Sequence, residues 1–171
     1  MLTGGGMYET GAGGSAPKHV EQLVEENHLR WDALGEFMAL AVSLEDLGVK
    51  QQNARASILA RTLDEATGKL LELNKSPSRK TGELNNRGSH FYLGLYWAQA
   101  VAAQTEDREL AAPFAPLADK LAEKEDAIIA ELGAAQGRHA ELGGYYHANL
   151  DKVTRGMRPS ATLNDVREGF R

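Results

Sequence analysis

Apolar side chains recur along much of the chain at the three- and four-residue spacing of amphipathic helices. This spacing predicts helices over residues 32–47 and 54–73, with Gly48 ending the first of them. A shorter helix is predicted before them, ending near residue 27, with Ser15 as its N-cap and a proline in its first turn. The first third of the chain is therefore predicted to be helical after its opening residues.

The most apolar run of the sequence lies inside a helix predicted over residues 89–104. The run is shorter than the roughly 20 residues that a membrane span needs, so a core helix surrounded on most sides is the better interpretation. A further helix is predicted over residues 117–132. Residues 133–171 form a loosely structured tail with short helical turns near 149–154 and after Thr162.

The pattern contains no repeat, no heptad array and no clear alternating strand. We therefore predict a mainly α protein in which residues 1–9 could add a strand. The whole chain, 1–171, is interpreted as one partial domain that includes the loose tail.

Composition narrows the function classes. A formal net charge of −5 argues against a general nucleic-acid binder, because such proteins need a basic face for the phosphates. The chain has no cysteine, which excludes disulfides and thiolate metal sites. No apolar leader follows Met1, and no membrane segment is expected, so the protein is predicted to be cytoplasmic.

The opening residues, MLTGGGMYETGAGGSAPKHV, place a glycine-rich loop directly before a helix. Backbone N–H groups and the helix dipole at such a junction attract anions. The stretch GAGGSA matches neither common phosphate-binding motif, so spacing alone also allows a flexible start that Ser15 merely caps.

Several long motifs carry a resemblance: GGGMYETGAGGSAPKHVEQLVEENHLRWDALGEF, ATGKLLELNKSPSRKTGELNNRGSHFYLGLYWAQAVAAQTED, GGYYHANLDKV and MRPSATLN. Together they closely resemble the C-terminal part of monomeric NADP-dependent isocitrate dehydrogenases, over nearly the whole chain. GSAPKH is also similar to the nucleotide loop of other decarboxylating hydroxy-acid dehydrogenases. The resemblance implies the helical C-terminal part of an α/β dehydrogenase domain, with the glycine-rich loop at its N-terminus.

The resemblance also implies an NADP-binding role. Backbone groups of the opening loop would lie against the nucleotide, His19 would contact the adenosine and its 2′-phosphate, and Asp32 would reach the adenine. Two arginines from separate segments would hold the phosphate, which suits a dianion and distinguishes NADP from NAD. The implied cofactor-binding residues are Gly14, Ser15, His19, Arg30, Asp32 and Arg79.

The resemblance also implies that the catalytic residues of the family lie upstream of this segment. They are the magnesium or manganese ligands, the residues that bind isocitrate, and a lysine–tyrosine acid–base pair. The implied parent reaction is oxidation and decarboxylation of isocitrate to 2-oxoglutarate, a step of the tricarboxylic acid cycle at the branch to the glyoxylate bypass. We therefore expect no catalytic and no metal-binding residue in this chain, and isocitrate binding only together with the missing domains.

Three interpretations of such a segment stay open. It is a fragment of the parent enzyme, one half of a split enzyme with a complementing chain, or a stand-alone helical module that binds a nucleotide or a protein and self-associates. The remaining charged motifs are interpreted structurally. His90 is a hydrogen-bonded structural residue, the acidic run 123–131 is a solvated helix face, and Lys75, Lys80 and Arg87 add local positive potential.

Overall fold

The computed structural model describes residues 16–144 and 147–170, and the regular elements of that part of the chain are helices. The mainly α prediction is thus confirmed, whereas the strand suggested for residues 1–9 lies outside the described residues. The helices are α1 Ala16–Glu26, α2 Leu34–Lys50, α3 Ala54–Glu72, α4 Asn86–Ala103, α5 Arg108–Ala111, α6 Phe114–Glu123, α7 Glu125–Ala134, α8 Leu150–Met157 and α9 Ala161–Glu168.

The core forms around α4, which packs against α3 on one side and α6 on another. Its side chains are buried over most of its length, as its composition predicts. Leu63 and Leu70 of α3 meet Leu95 of α4 and Ile128 of α7 in one apolar cluster. Burying such large side chains stabilises the fold by roughly 1.5–3 kcal/mol each. Because α4 buries most of its length between α3 and α6, it is the central helix of the core.

Asparagine caps fix where the two central helices begin. Asn53 accepts a hydrogen bond from Ala56 N at 3.1 Å and starts α3, as its spacing predicts. Asn85 accepts from Arg87 N and Gly88 N at the start of α4. Helix α4 therefore begins three residues before the predicted position, because the cap is Asn85 and not a residue near Ser89.

Gly48 does not end α2, contrary to prediction; it is a buried residue inside that helix. A Cβ at this position would lie 2.1 Å from Ser57 Oγ and 3.0 Å from Ser57 N. Glycine is needed here because α2 and α3 approach each other closely, and the helix continues to Lys50.

The helix predicted over residues 117–132 is in fact two helices, α6 and α7, separated at Lys124. The last bond of α6 runs from Lys124 N to Lys120 O at 3.1 Å, and the first bond of α7 runs from Ile128 N to Lys124 O at 2.9 Å. Leu121 before the break and Ile128 and Leu132 after it are all buried, which explains why the apolar pattern indicated one helix.

Glu131 anchors the end of the chain. Its carboxylate accepts hydrogen bonds from Ser160 Oγ at 2.6 Å, Thr162 Oγ1 at 2.7 Å and Thr162 N at 3.1 Å, all at the start of α9. These bonds hold its pKa below the ordinary value for a glutamate. The prediction of a merely solvated acidic face is wrong for this residue, and α9 packs against α6 and α7.

Candidate functional site

His19 lies one turn into α1 and is half-buried. Its imidazole meets the Trp31 ring edge-on, with the ring centroids 5.3 Å apart. Burial lowers the pKa of His19, and the positive charges of Arg30 and then Arg79 lower it further. A neutral imidazole is therefore favoured near two guanidinium groups.

Arg30 belongs to the segment that links α1 to α2, residues 27–33. The start of α4 holds this linker in place: Asn86 N donates to Leu29 O at 2.7 Å, and Asn86 Nδ2 donates to Trp31 O at 2.7 Å. The Arg30 Nε is buried and has no hydrogen-bond partner among residues 16–144 and 147–170. Such an unpaired donor suits an anionic ligand.

Arg79 is an exposed residue of the loop between α3 and α4, which we call the 78–84 loop. Gln22 of α1 donates to Arg79 O at 3.1 Å and to Thr81 Oγ1 at 3.3 Å. Thr81 in turn donates to the Glu26 carboxylate, and this bond is the main reason why the pKa of Glu26 is lowered. The loop thus lies on α1, the helix that carries His19.

Asp32 is exposed and accepts a hydrogen bond from Leu34 N at 3.0 Å, at the start of α2. This bond fixes the carboxylate near the end of the same linker that carries Arg30. Gly14 and Ser15 lie outside the described residues, and the structure places neither of them.

The fold thus brings His19, Arg30 and Arg79 into one electrostatic neighbourhood from three separate segments. Two permanent cations with a neutral imidazole suit a phosphate group. Within the part of the chain that the structure covers, no three histidine, aspartate or glutamate side chains gather as a metal site requires. The helices described here include none that is long and apolar enough to cross a membrane.

Comparison with known proteins identifies the family. A family model described as monomeric isocitrate dehydrogenase matches residues 1–168. This chain belongs to that family. Its relatives include NADP isocitrate dehydrogenases of Azotobacter vinelandii, 61% identical over 164 residues, and of Mycobacterium tuberculosis, 62% identical over 168 residues.

A third relative, from Colwellia maris, is 62% identical over 166 residues. The alignments cover 96%, 98% and 97% of this chain, respectively, but 22%, 23% and 22% of those relatives. The chain therefore spans less than a quarter of the length of the curated relatives it matches. The resemblance to this family of NADP isocitrate dehydrogenases is confirmed, and the activity of the whole relatives is not thereby assigned to the segment.

Arg87 is a residue whose role the sequence pattern missed. The sequence predicts that Arg87 adds positive potential near the loop, and this prediction is wrong because the residue is buried and its guanidinium bonds to backbone and side-chain oxygens of the protein itself. Its guanidinium donates to Asn27 O at 2.5 Å, to Asn27 Oδ1 at 2.7 Å and to Gly156 O at 3.0 Å. Burial lowers the pKa of Arg87 to about 10. No spacing signal distinguishes such a residue from a solvent-exposed arginine.

The other basic residues of the segment 75–90 have partners as well. Lys75 Nζ lies 4.0 Å from the centre of the Tyr92 ring, and Lys80 Nζ is 3.8 Å from Glu83 Oε1. His90 Nδ1 lies 2.8 Å from Asn86 O and so has the hydrogen bond expected of a structural histidine. Arg30 and Arg79 therefore remain the candidates for a ligand.

A cleft of about 530 Å³ opens beside this site, where the starts of α2 and α4 face the C-terminal tail. Phe91 and Leu163 are among its apolar lining residues, and Arg158 and Arg167 are among its charged ones. Trp31 belongs to both regions, because its ring meets His19 and also lines the cleft. The cleft is not lined by His19, Arg30 or Arg79.

Proposed function

We propose that this chain is the NADP-binding C-terminal segment of an isocitrate dehydrogenase, in which Arg30 and Arg79 hold the 2′-phosphate. In the whole family enzyme, NADP would accept the hydride removed from isocitrate during its oxidative decarboxylation to 2-oxoglutarate. His19 would lie against the adenosine and its phosphate, Asp32 would orient the adenine, and the backbone of Gly14 and Ser15 would meet the nucleotide.

The single observation that carries the proposal is the action of both guanidinium groups on the His19 imidazole, with a buried Arg30 Nε that lacks a partner among the described residues. Two cations that have no carboxylate partner among residues 16–144 and 147–170 repel each other when they are brought together. A phosphate dianion would remove that repulsion and satisfy the donor, and arginine forks match its oxygens.

The test is ligand binding by the purified chain. We expect 2′,5′-ADP to bind more tightly than 5′-AMP, and NADP to protect against heat more than NAD does, because the extra phosphate meets both arginines. Arg30→Ala and Arg79→Ala should each remove this preference. Arg61→Ala is the matched control, since Arg61 is an exposed arginine paired with Glu106 on another part of the surface. Equal binding of both nucleotides by the unchanged chain would refute the proposal.

The segment by itself is expected to have no isocitrate dehydrogenase activity. The described residues include no cluster that would hold the magnesium or manganese ion of the parent reaction, and no step of that reaction can be derived from them. The expected result is weak NADP binding without NADPH formation when isocitrate and magnesium are added. Absorbance at the NADPH band measures this directly, and turnover would overturn the expectation.

A second candidate is a helical module that binds another polypeptide: a complementing chain or a second copy of itself. The observation that favours it is a set of exposed apolar side chains on α2, Met38, Val42 and Val49. Exposed apolar patches on soluble proteins commonly mark association sites. Sedimentation distinguishes the candidates, because a stable oligomer that is indifferent to NADP supports the second one.

A further inference from the structure

His28 is a buried residue for which the proposed function has no role yet. It lies in the linker between α1 and α2, and its side chain is 0% exposed. Its Nδ1 is 2.5 Å from Gln136 Oε1, and its Nε2 is 2.9 Å from Ser78 O. Both ring nitrogens therefore face oxygen atoms.

The neighbouring bonds fix which groups donate. Gln136 Oε1 also accepts from Gly82 N at 3.0 Å, while Gln136 Nε2 donates to Glu83 O at 3.0 Å. Turning the amide over would break both bonds, so Oε1 faces His28 as an acceptor. The Ser78 carbonyl can only accept. Both oxygens are acceptors, so in either contact the hydrogen bond is one that His28 donates.

These contacts join the segments that carry the two arginines. Arg30 follows His28 by two residues in the linker, and Arg79 is the residue after Ser78 in the 78–84 loop. Gln136, which follows the end of α7, holds the far side of the same loop through Gly82 and Glu83. His28 therefore sets the distance between the linker and the loop.

We propose that His28 is a positioning residue for recognition of the 2′-phosphate. It holds the linker and the 78–84 loop at the spacing at which Arg30 and Arg79 contact one phosphate group. This inference rests on the proposed function, since it concerns the same arginine pair. It assigns selectivity for the phosphorylated nucleotide to a residue that does not itself touch the ligand.

Other contacts anchor the same segments independently, so a loss of His28 changes spacing more than folding. Asn86 and Arg87 hold the linker, and Gln22 holds the loop on α1. The Glu26 carboxylate of α1 has its own partners, because its pKa is lowered mainly by the hydrogen bonds from Thr81 and then Gln22. None of these groups replaces the direct bond from the linker to Ser78.

The experiment measures dissociation constants of 2′,5′-ADP and 5′-AMP for the full chain and for His28→Asn, with circular dichroism as the test of folding. We expect affinity for 2′,5′-ADP to fall about tenfold, while affinity for 5′-AMP changes less than about twofold, because small misplacements are costly where two groups must converge. If His28 had a purely structural role, its replacement would lower the affinity for both ligands equally.

Gln136→Met provides the second variant, because it removes the acceptor at Nδ1 and leaves the bond between His28 and Ser78. It also removes the Gln136 bonds to Gly82 N and Glu83 O and leaves the bond from the linker to Ser78, so His28→Leu, which has no donor, decides the question if His28→Asn does not fold. The matched control is Gln99→Met, a half-buried glutamine of α4 whose partner is Lys69. It should leave both dissociation constants unchanged.

The outcomes separate this inference from the function on which it rests. If the unchanged chain does not prefer 2′,5′-ADP, the proposed function fails. If it does prefer 2′,5′-ADP and the folded His28 variant keeps that preference, the arginine pair stands and the role of His28 is refuted, whatever Gln136→Met does. Equal losses for both ligands also refute it, and a selective loss of 2′,5′-ADP binding supports it.

Discussion

At the scale of single residues, His19 connects the site to pH. Burial and the charges of Arg30 and Arg79 lower its pKa from the ordinary value of 6.5, so the folded, ligand-free chain disfavours the imidazolium. Near this pH the unfolded chain therefore binds more protons than the folded chain does. The contribution of His19 to the free energy of unfolding is present above pH 6.5 and is lost as the pH falls below that value.

A bound phosphate reverses this effect, which gives the first prediction. Its negative charge should raise the pKa of His19, so binding of 2′,5′-ADP should be accompanied by proton uptake near pH 6.5. Titration calorimetry in two buffers of different ionisation enthalpy measures that uptake. The phosphate has its own pKa of about 6, so the proton uptake of the unchanged chain must be compared with that of a variant.

His19→Asn is that variant and should lose the proton uptake of the imidazole. His139→Asn, an exposed histidine beyond α7, serves as the control and should keep it. The same uptake in the wild-type chain and in His19→Asn would show that the ring does not meet the phosphate.

The candidate site could be predicted from the sequence only through the family resemblance. Arg30 and Arg79 lie on different segments, and no local spacing indicates that they act on the same imidazole. The support behind them could not be predicted at all. His28 and Arg87 are polar residues that are buried only because the fold supplies hydrogen-bond partners for them. Those partners are distant in sequence, namely Ser78 and Gln136 for His28 and Asn27 and Gly156 for Arg87, and composition does not reveal them.

At the scale of helices, replacing glycine by alanine should have opposite effects on stability at two positions. Gly48 in α2 leaves too little room for a Cβ against Ser57 of α3, whereas a Cβ on Gly68, an exposed residue of α3, would meet nothing within 4 Å. Gly68→Ala should therefore stabilise the protein by roughly 1 kcal/mol through helix propensity. Gly48→Ala should destabilise it, because overpacking typically costs about 1–3 kcal/mol.

Urea unfolding of the two variants measures the difference in the free energy of unfolding. Ser57→Ala combined with Gly48→Ala should recover part of the loss, since it removes Oγ, the nearest atom, but not the backbone N at 3.0 Å. If Gly48→Ala were as stable as Gly68→Ala, the close contact between α2 and α3 would be wrong.

The position of a helix could be predicted from the sequence where a local signal marks it. The end of a helix could not be predicted where packing against another helix determines it. The Asn53 cap agrees with the periodicity that starts α3. The end of α2 depends on contact with Ser57, which a glycine-stop rule cannot include. The break at Lys124 separates buried apolar residues, Leu121 from Ile128 and Leu132, that still fit one helical spacing, so the apolar pattern does not reveal the break.

At the scale of the whole molecule, the apolar surface of α2 has no cover among the described residues. Met38, Val42 and Val49 are 54%, 64% and 72% exposed, and their spacing of four and seven places them along one side of the helix. Exposed apolar patches commonly mark association sites, so this side is where we expect another polypeptide to pack, either a complementing segment or a second copy.

The last prediction follows from that exposure. The unchanged chain should associate as its concentration rises, and Val42→Lys should weaken the association because a charge would be buried in the apolar contact. Sedimentation velocity over a range of concentrations measures the effect. Val42 is exposed, so the free energy of unfolding of the monomer should change by no more than about 0.5 kcal/mol.

Ser43→Lys, at the next position of α2, adds the same charge away from this side and should associate like the unchanged chain. Association that Val42→Lys leaves intact would mean that another surface, such as the cleft beside Trp31, receives the partner.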